Sequence, residues 1–367
     1  VGDGLSEVAL ALPKGKPGPE PSTRFDPFSA EGRGTMSVLH GRKSFVWMFV
    51  IVLCLVPMMR GTAGAWEPTK PITVVIPYSR GGADIIGRFI QSVVGKYGFS
   101  KQPLVVINKA GGSGTVGMKY LLDQRGDPHF FMVSLSSIVT TPLHTNVGFT
   151  WRDLTPFCRL ALDRHALCVS TKKYPNVYTL DQFVKLAKEA EKRGDLLQCG
   201  GTGVKQEDQI VMIMLEKATG IHLKYIPIKS GGEVAKNLVG GHIDLSMNNP
   251  SEFLGYTLSG DMRQIVAFDE KRVIGYINVP TMVELGYPGA TYQMLRGLFM
   301  PPDVKPEQVE YMTGLIKKVI ATSEWQSFLN RVMLDGSDPI FGEEFRKWME
   351  EYDALHVKYM KEGGLIP

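Results

Sequence analysis

Two spacings of apolar residues trade places along most of this chain. Residues 72–76, Ile-Thr-Val-Val-Ile, form a short β-branched run suited to a buried parallel strand. Beyond them Ile85, Ile86, Phe89, Ile90 and Val93 recur at intervals of three and four, the stripe of an amphipathic helix. The exchange repeats, with strands expected at 104–107 and 130–134 and a helix at 115–122. Further on, a strand at 196–203 lies between helices at 179–190 and 210–219, and alternation over 221–226 marks another strand, in which His222 would be half exposed. Residues 229–233 open a helix that stops at Gly240-Gly241, and 242–246 form the next strand. Helical patterns follow at 307–321, 324–332 and 342–361. Strands alternating with helices predict an α/β fold with a largely parallel sheet. From Trp66 onward there are about 300 residues, more than one core usually holds, so two lobes are expected. Their limits are read as 66–168 with 295–367 for the first and 169–294 for the second, joined by two crossings.

The joints carry the candidate chemistry. Residues 77–84 read Pro-Tyr-Ser-Arg-Gly-Gly-Ala-Asp between the first strand and its helix. Gly81 and Gly82 let the backbone approach a ligand, Asp84 is placed to cap the helix, and free N–H groups of its first turn attract anions. The loop therefore suggests a carboxylate trap. Arg80 suits either a bidentate grip on a ligand carboxylate or a solvated rim. The next two strands run into glycine- or serine-rich loops at 108–114 and 134–137. Ligands of open α/β sheets sit at the carboxyl edge. The candidate binding residues are thus Ser79, Arg80, Gly81, Gly82, Asp84, Ser136 and Ser137 in the first lobe, with Gly201, Thr202, Gly203, Ser246, Asn248 and Asn249 in the second. A neutral, hydrogen-bonding pocket with few fixed charges is expected between them.

Composition narrows the setting. Arg42 and Lys43, an apolar stretch at 45–59 and Ala63-Gly64-Ala65 describe a secretory signal peptide at 36–65, cleaved after Ala65. The stretch is shorter than the roughly 20 residues of a membrane span. Residues 1–35, rich in Gly, Pro and charge, read as a disordered or untranslated leader before Met36. Residues 1–65 hold 7 of the 41 basic and 5 of the 37 acidic side chains, leaving 34 against 32, a net charge of +2. That near-neutrality, without a basic stripe, argues against a nucleic-acid partner. Cys158, Cys168 and Cys199 remain; the first two are open to a bridge or to life as buried thiols, and no metal-ligand spacing accompanies them.

With Pro71 to Pro77, Gly81-Gly82 and Asp84, Asn108 with Gly111 to Gly114, Leu154-Thr155-Pro156, Gly240 to Asp244, Val279-Pro280-Thr281 and Glu284 to Gly289 in this order, the chain resembles the Bug, or tripartite tricarboxylate transporter, solute receptors of bacteria. Where that family usually has proline before its glycines, this chain has Arg80, and its aspartate follows Gly-Gly-Ala more tightly. The resemblance covers nearly all of 66–367. It implies a two-lobed venus flytrap of the periplasmic binding class, type II-like. A small di- or tricarboxylate or aromatic acid would be held between the lobes and delivered to membrane carrier subunits. It further implies a periplasmic, monomeric protein with no cofactor and no enzymatic activity. Two alternatives stand beside it. The same flytrap would serve a membrane sensor. Gly112-Ser113-Gly114-Thr115-Val116-Gly117 matches the dinucleotide pattern of an oxidoreductase, although 130–137 lacks the acid that should hold the ribose.

Overall fold

A computed structural model describes residues 66–272 and 279–367; the expected leader and signal peptide lie outside them. The run Ile72–Ile76 is strand β1, and Ile72, Val74, Val75 and Ile76 are fully buried because both faces are covered. It pairs in parallel with β2 (Leu104–Asn108) on one side and β3 (Phe130–Ser134) on the other, with Val74 level with Val106 and Phe131. The chain then continues into β4 (Thr155–Asp163), whose partner β10 (Met294–Met300) arrives from much later in the sequence. β10 lies antiparallel between β3 and β4, and β11 (Ile340–Phe341) completes a six-stranded sheet in the order β11-β4-β10-β3-β1-β2.

The second sheet is built from the intervening sequence. β5 (Ala166–Ser170), β6 (Gln198–Thr202), β7 (Lys224–Ile228), β8 (Leu245–Ser246) and β9 (Met262–Ala267) stand in the order β7-β6-β8-β5-β9. β6 is parallel to β7 and β8, whereas β5 is antiparallel to β8 and β9. Each sheet is therefore mixed rather than largely parallel. The two strands that enter from the opposite lobe, β5 and β10, run against those connected through helices within a lobe, whereas β4 and β9, which leave for the other lobe, run with them. The chain changes sheets between Asp163 and Ala166 and again between Ala267 and Met294.

Helices cover both sheets. On one face of the first, α1 (Gly82–Tyr97) packs Ile86, Ile90 and Val93 with Met312 and Leu315 of α8 (Pro306–Ile320) and Trp325 and Phe328 of α9 (Ser323–Val332). The other face carries α2 (Thr115–Leu122), α3 (Ser137–His144) and the start of α10 (Gly342–Glu362), through Met118, Leu121, Ile138, Phe345 and Met349. The second sheet has α4 (Leu180–Lys192), α5 (Glu207–Thr219), α6 (Gly231–Val239) and α7 (Pro250–Leu258). Phe183, Ile210 and Leu215 fill its core, and Met360 and Leu365 from the end of the chain join them. α10 thus begins in one lobe's core and ends in the other's.

Several local expectations shift. Ile221 and Leu223 are buried, yet the ladder begins only at Lys224, so their alternation reports packing ahead of the strand. His222 accordingly sits outside it, exposed, with Nδ1 2.6 Å from Glu191 Oε1. The expected strand at 242–246 shortens to two residues, and α5 starts three residues earlier than its apolar stripe. Cys158, Cys168 and Cys199 are free and buried, and desolvation pushes each thiol well above its ordinary pKa.

Candidate functional site

The first-lobe loops open at the carboxyl ends of β1, β2 and β3. After Pro77, Tyr78 turns inward and its hydroxyl meets Ser137 Oγ, where desolvation raises the phenol to about 12. Ser79 and Arg80 are exposed. A Cβ on Gly82 would lie 2.8 Å from Arg296 Nη2, so the missing side chain lets a guanidinium lie against the backbone. Asp84 is the third residue of α1 and does not cap it; the N-cap is Gly81. Its carboxylate accepts from Arg88 Nε at 3.0 and 2.9 Å and from Asn108 Nδ2 at 3.0 Å. Burial works against the charge, but these donors hold it below the usual carboxylate range.

In the second loop Gly111, Gly112, Ser113 and Gly114 all take positive φ, 144°, 54°, 50° and 95°, a turn that needs glycine at most positions. A Cβ on Gly117 would fall 2.5 Å from Pro77 Cα. The glycines of the dinucleotide-like pattern therefore serve a tight turn and close helix packing. In the third loop Ser136 Oγ is 2.5 Å from Tyr352 Oη and accepts the amide of Leu295 at 3.0 Å, so both serine hydroxyls, Ser136 and Ser137, are engaged within the lobe.

From the second lobe, Gly201 packs against Asp208 and Tyr225, and the amide of Thr202 donates to Asp208 Oδ2 at 2.6 Å. Gly203, at φ 72°, brings its backbone against Ser113: a Cβ there would be 3.7 Å from Ser113 Oγ. Asn248 Nδ2 donates to Gly231 O at 3.2 Å and Glu252 Oε2 at 3.1 Å. Asn249 Nδ2 donates to Arg164 O at 2.6 Å, tying it to the joint between β4 and β5. Ser246 is buried and its Oγ has no described partner.

The lobes meet through a residue that the sequence reading passed over. Gln206, the N-cap of α5, accepts from Thr140 Oγ1 at 2.5 Å and donates to Thr141 Oγ1 at 3.1 Å, and Thr141 also donates to Ser113 O at 3.0 Å. On the other side Gly82, Ser251, Asp163 and Arg296 line one small pocket. The candidate loops thus converge on a closed cleft. Two larger pockets, of about 290 and 270 Å³, flank α10 instead and involve none of these loops.

The cleft interior is more charged than expected. Asp163, Glu207 and Asp208 are buried, and Glu252 half-buried, among Arg296 and His165. Asp163 pairs with Arg296, and His165 Nε2 stands 3.2 Å from Asp208 Oδ1, in ion-pair reach though off the line of a hydrogen bond. Desolvation, with Asp208 and Asp163 adding repulsion, lifts Glu252 to about 7; Glu207 is raised chiefly by the same desolvation. These residues lie in different strands and helices, and Asp163 and Arg296 are 133 positions apart. Only Gln206-Glu207-Asp208, just ahead of an apolar stripe, left a sequence signal: acids in a first helical turn.

Helix ends supply the opposite polarity. α1, α2, α3 and α5 begin at these loops, and none has an N-cap side chain bonded to its first turn. α4 and α9, by contrast, are capped by Thr179 and Thr322. Uncapped first-turn N–H groups, with the helix dipole behind them, form anion sites.

Two lobes joined by two crossings, with helix ends facing each other across a cleft, define a solute-binding protein of the venus-flytrap class. The tripartite tricarboxylate transporter family receptor pattern matches residues 89–344, and the chain belongs to that family. Its members are receptors rather than enzymes. Protein BugT of Bordetella pertussis (strain Tohama I) is 26% identical over 262 residues, covering 69% of this chain and 77% of BugT. Rpa4515 of R. palustris, solved with adipate, shares the fold with a TM-score of 0.72 at 22% identity, over 81% of this chain and 98% of that one. MatC (Rpa3494) of Rhodopseudomonas palustris, with bound malate, gives 0.68 at 19% identity, over 80% and 99%.

Proposed function

We propose that this protein is an extracytoplasmic receptor that closes its two lobes on a small carboxylate and delivers it to the membrane carrier of a tripartite tricarboxylate-type transporter. The observation that carries the reading is the set of three helix N-termini, those of α1, α2 and α3, that meet at one closed cleft without an N-cap side-chain bond. Carboxylates in two solved relatives, adipate and malate, support the ligand class. Gly81, Gly82 and Gly203 bring backbone amides near a ligand, while Ser136, Ser137 and Asn249 hold the walls through bonds within the protein. Ser79 and Arg80 stand at the rim, and Asp84 orients the first loop through Asn108.

Periplasmic location and a monomeric state belong to the same proposal, as do the lobe limits 66–168 with 295–367 and 169–294, with the sheets changing near 164. Among the described residues no helix is long and apolar enough to cross a membrane. Closure works by the ligand's preference for the closed form, since each lobe offers only part of the site. The test is thermal stability and small-angle scattering of the purified protein with mono-, di- and tricarboxylates. An acid at 100 times its dissociation constant should add about 2.7 kcal/mol and a rise of several degrees, with a smaller radius of gyration. If no acid raises the melting temperature or compacts the protein, the reading fails.

A further inference from the structure

Away from the cleft, the pocket of about 270 Å³ beside α10 lies where the chain crosses between the lobes. One wall is the second crossing, with Asp269 and Glu270 just after β9 and Thr291, Tyr292 and Gln293 just before β10. The facing wall is α10, through Trp348, Glu351, Tyr352, Leu355 and Tyr359. The aromatic parts of the lining belong to different cores: Trp348 and Tyr352 pack with the first lobe, Tyr292 and Tyr359 with the second. Tyr352 also reaches the cleft loops. Its hydroxyl stands 2.5 Å from Ser136 Oγ, accepts the Leu295 amide at 3.1 Å and donates to Gln293 O at 3.0 Å.

The described lining of this pocket holds three carboxylates and no lysine or arginine. Asp269 is matched by Arg164, which also binds Asp335, and Arg159, 5.0 Å from the Trp348 ring centre, is bonded to Asp338. His356 is neutral: burial pushes it down to about 4, its Nδ1 donates to Tyr352 O at 2.7 Å and its Nε2 accepts from Tyr292 at 2.8 Å. Glu270 and Glu351 are exposed, and among the described residues their carboxylates have neither an ion pair nor a hydrogen bond. The half-buried Tyr359 keeps a hydroxyl with no partner among those residues, and its neighbouring rings, His356 and Tyr292, are 6.2 and 6.4 Å away between centroids. An anion would meet only repulsion here, and a neutral apolar molecule would use the ring and Leu355 alone. An organic ammonium brings three donors for the carboxylates, a charge for the tyrosine ring and an apolar body for the wall. We propose that this pocket is a second binding site, for a small organic ammonium whose charged end meets Glu270 and Glu351 and whose body lies on Tyr359 and Leu355. The pocket has its shape in the closed structure and takes its walls from both lobes, so an occupant favours closure and tightens binding in the cleft. That consequence rests on the carboxylate reading above; the site itself does not.

The experiment is calorimetric titration of the purified protein with phenethylamine, and with 2-phenylethanol as its uncharged counterpart, with and without a saturating acid from the panel. The amine should bind one to one and at least tenfold tighter than the alcohol. Glu270→Gln combined with Glu351→Gln should weaken it at least tenfold, and Leu355→Arg, which sets a guanidinium in the pocket, should abolish it; all three changes are at exposed positions, so melting should be unaltered. Saturating amine should lower the acid's Kd at least threefold, and saturating acid should lower the amine's Kd by the same factor. The proposal is overturned if the amine gives no binding at millimolar concentration, if the alcohol binds as well, or if the variants keep the amine's affinity. Competition between amine and acid overturns it too, because the amine would then be in the cleft, as does binding that leaves the acid's affinity unchanged. If no acid of the panel binds, the carboxylate reading falls by itself, and small-angle scattering with the amine alone decides this one: compaction supports it and an unchanged radius of gyration overturns it.

Discussion

Gln206 offers a direct measure of what holds the lobes together. Gln206→Ala deletes the 2.5 Å bond from Thr140 and the 3.1 Å bond to Thr141, both made across the cleft and both buried. A neutral buried hydrogen bond contributes about 1 kcal/mol net, and leaving the Thr140 hydroxyl without an acceptor costs about 1 kcal/mol or more in the closed form. The open form exposes all three groups to water and loses nothing. Closure should weaken by about 2 kcal/mol or slightly more, and where the free protein is mostly open that loss passes into ligand affinity as roughly a 30-fold higher Kd. Calorimetry with the best acid from the panel reads the affinity; scattering reads the fraction closed. The fold itself should hold, because the Gln206 side chain caps nothing in α5. Thr140→Val should give a similar loss, and the double variant little more than either, as expected for one shared interaction. A change in Kd below threefold, with normal melting, would show that the bridge does not set the closing equilibrium.

Three further outcomes follow from the described geometry. Gly117→Ala puts a methyl group 2.5 Å from the Pro77 backbone and should cost about 3 kcal/mol, seen as a melting temperature lower by about 6 °C; an unchanged melt would mean that α2 can slide off β1 freely. Glu252, lifted to about 7 by burial, takes up a proton in the folded state that the unfolded chain does not hold, so stability should fall by up to about 3 kcal/mol as pH rises from about 4.5 to 7. His356, pushed down to about 4 by burial, works the other way: its contribution is present above about 6.5 and lost as pH falls toward 4. Melting of Glu252→Gln across this range should therefore show a gain at pH 8, none at pH 4, and an unmasked acid-side loss; a wild-type-like profile would refute the assignment. Cys158, Cys168 and Cys199 should resist a thiol reagent in the native protein and react once it is denatured; rapid native reaction would show that the buried strands open.

The sequence pattern yielded what local physics controls. β1 is legible because five β-branched or apolar residues must be buried on both faces, and its bounds match. The last three helices are legible from their stripes to within a residue or two. Strand direction was not, since β5 and β10 owe their antiparallel places to crossings set over more than a hundred residues. The glycine loops appeared as candidate ligand loops from turn chemistry alone. The polar interior did not, because Asp163, Arg296, Glu207 and Glu252 acquire partners only after the lobes fold together. Asp84 shows the limit from the other side: an acid at a helix start looks like a cap, yet Asn108 and Arg88 compete for it more strongly than the helix amides.

The last helix also bears on the order in which the molecule can be made. The first lobe is interrupted after β4 and regains its middle strand, β10, only after the whole second sheet has been synthesised. The second lobe in turn receives Met360 and Leu365 from beyond the end of that interruption. The first core waits for Tyr352 and the second for Leu365, so early segments have no finished native partner until the last helix has emerged. Such a chain stays threadable for most of its synthesis and consolidates late, with both halves gaining their final apolar contacts from the same closing stretch.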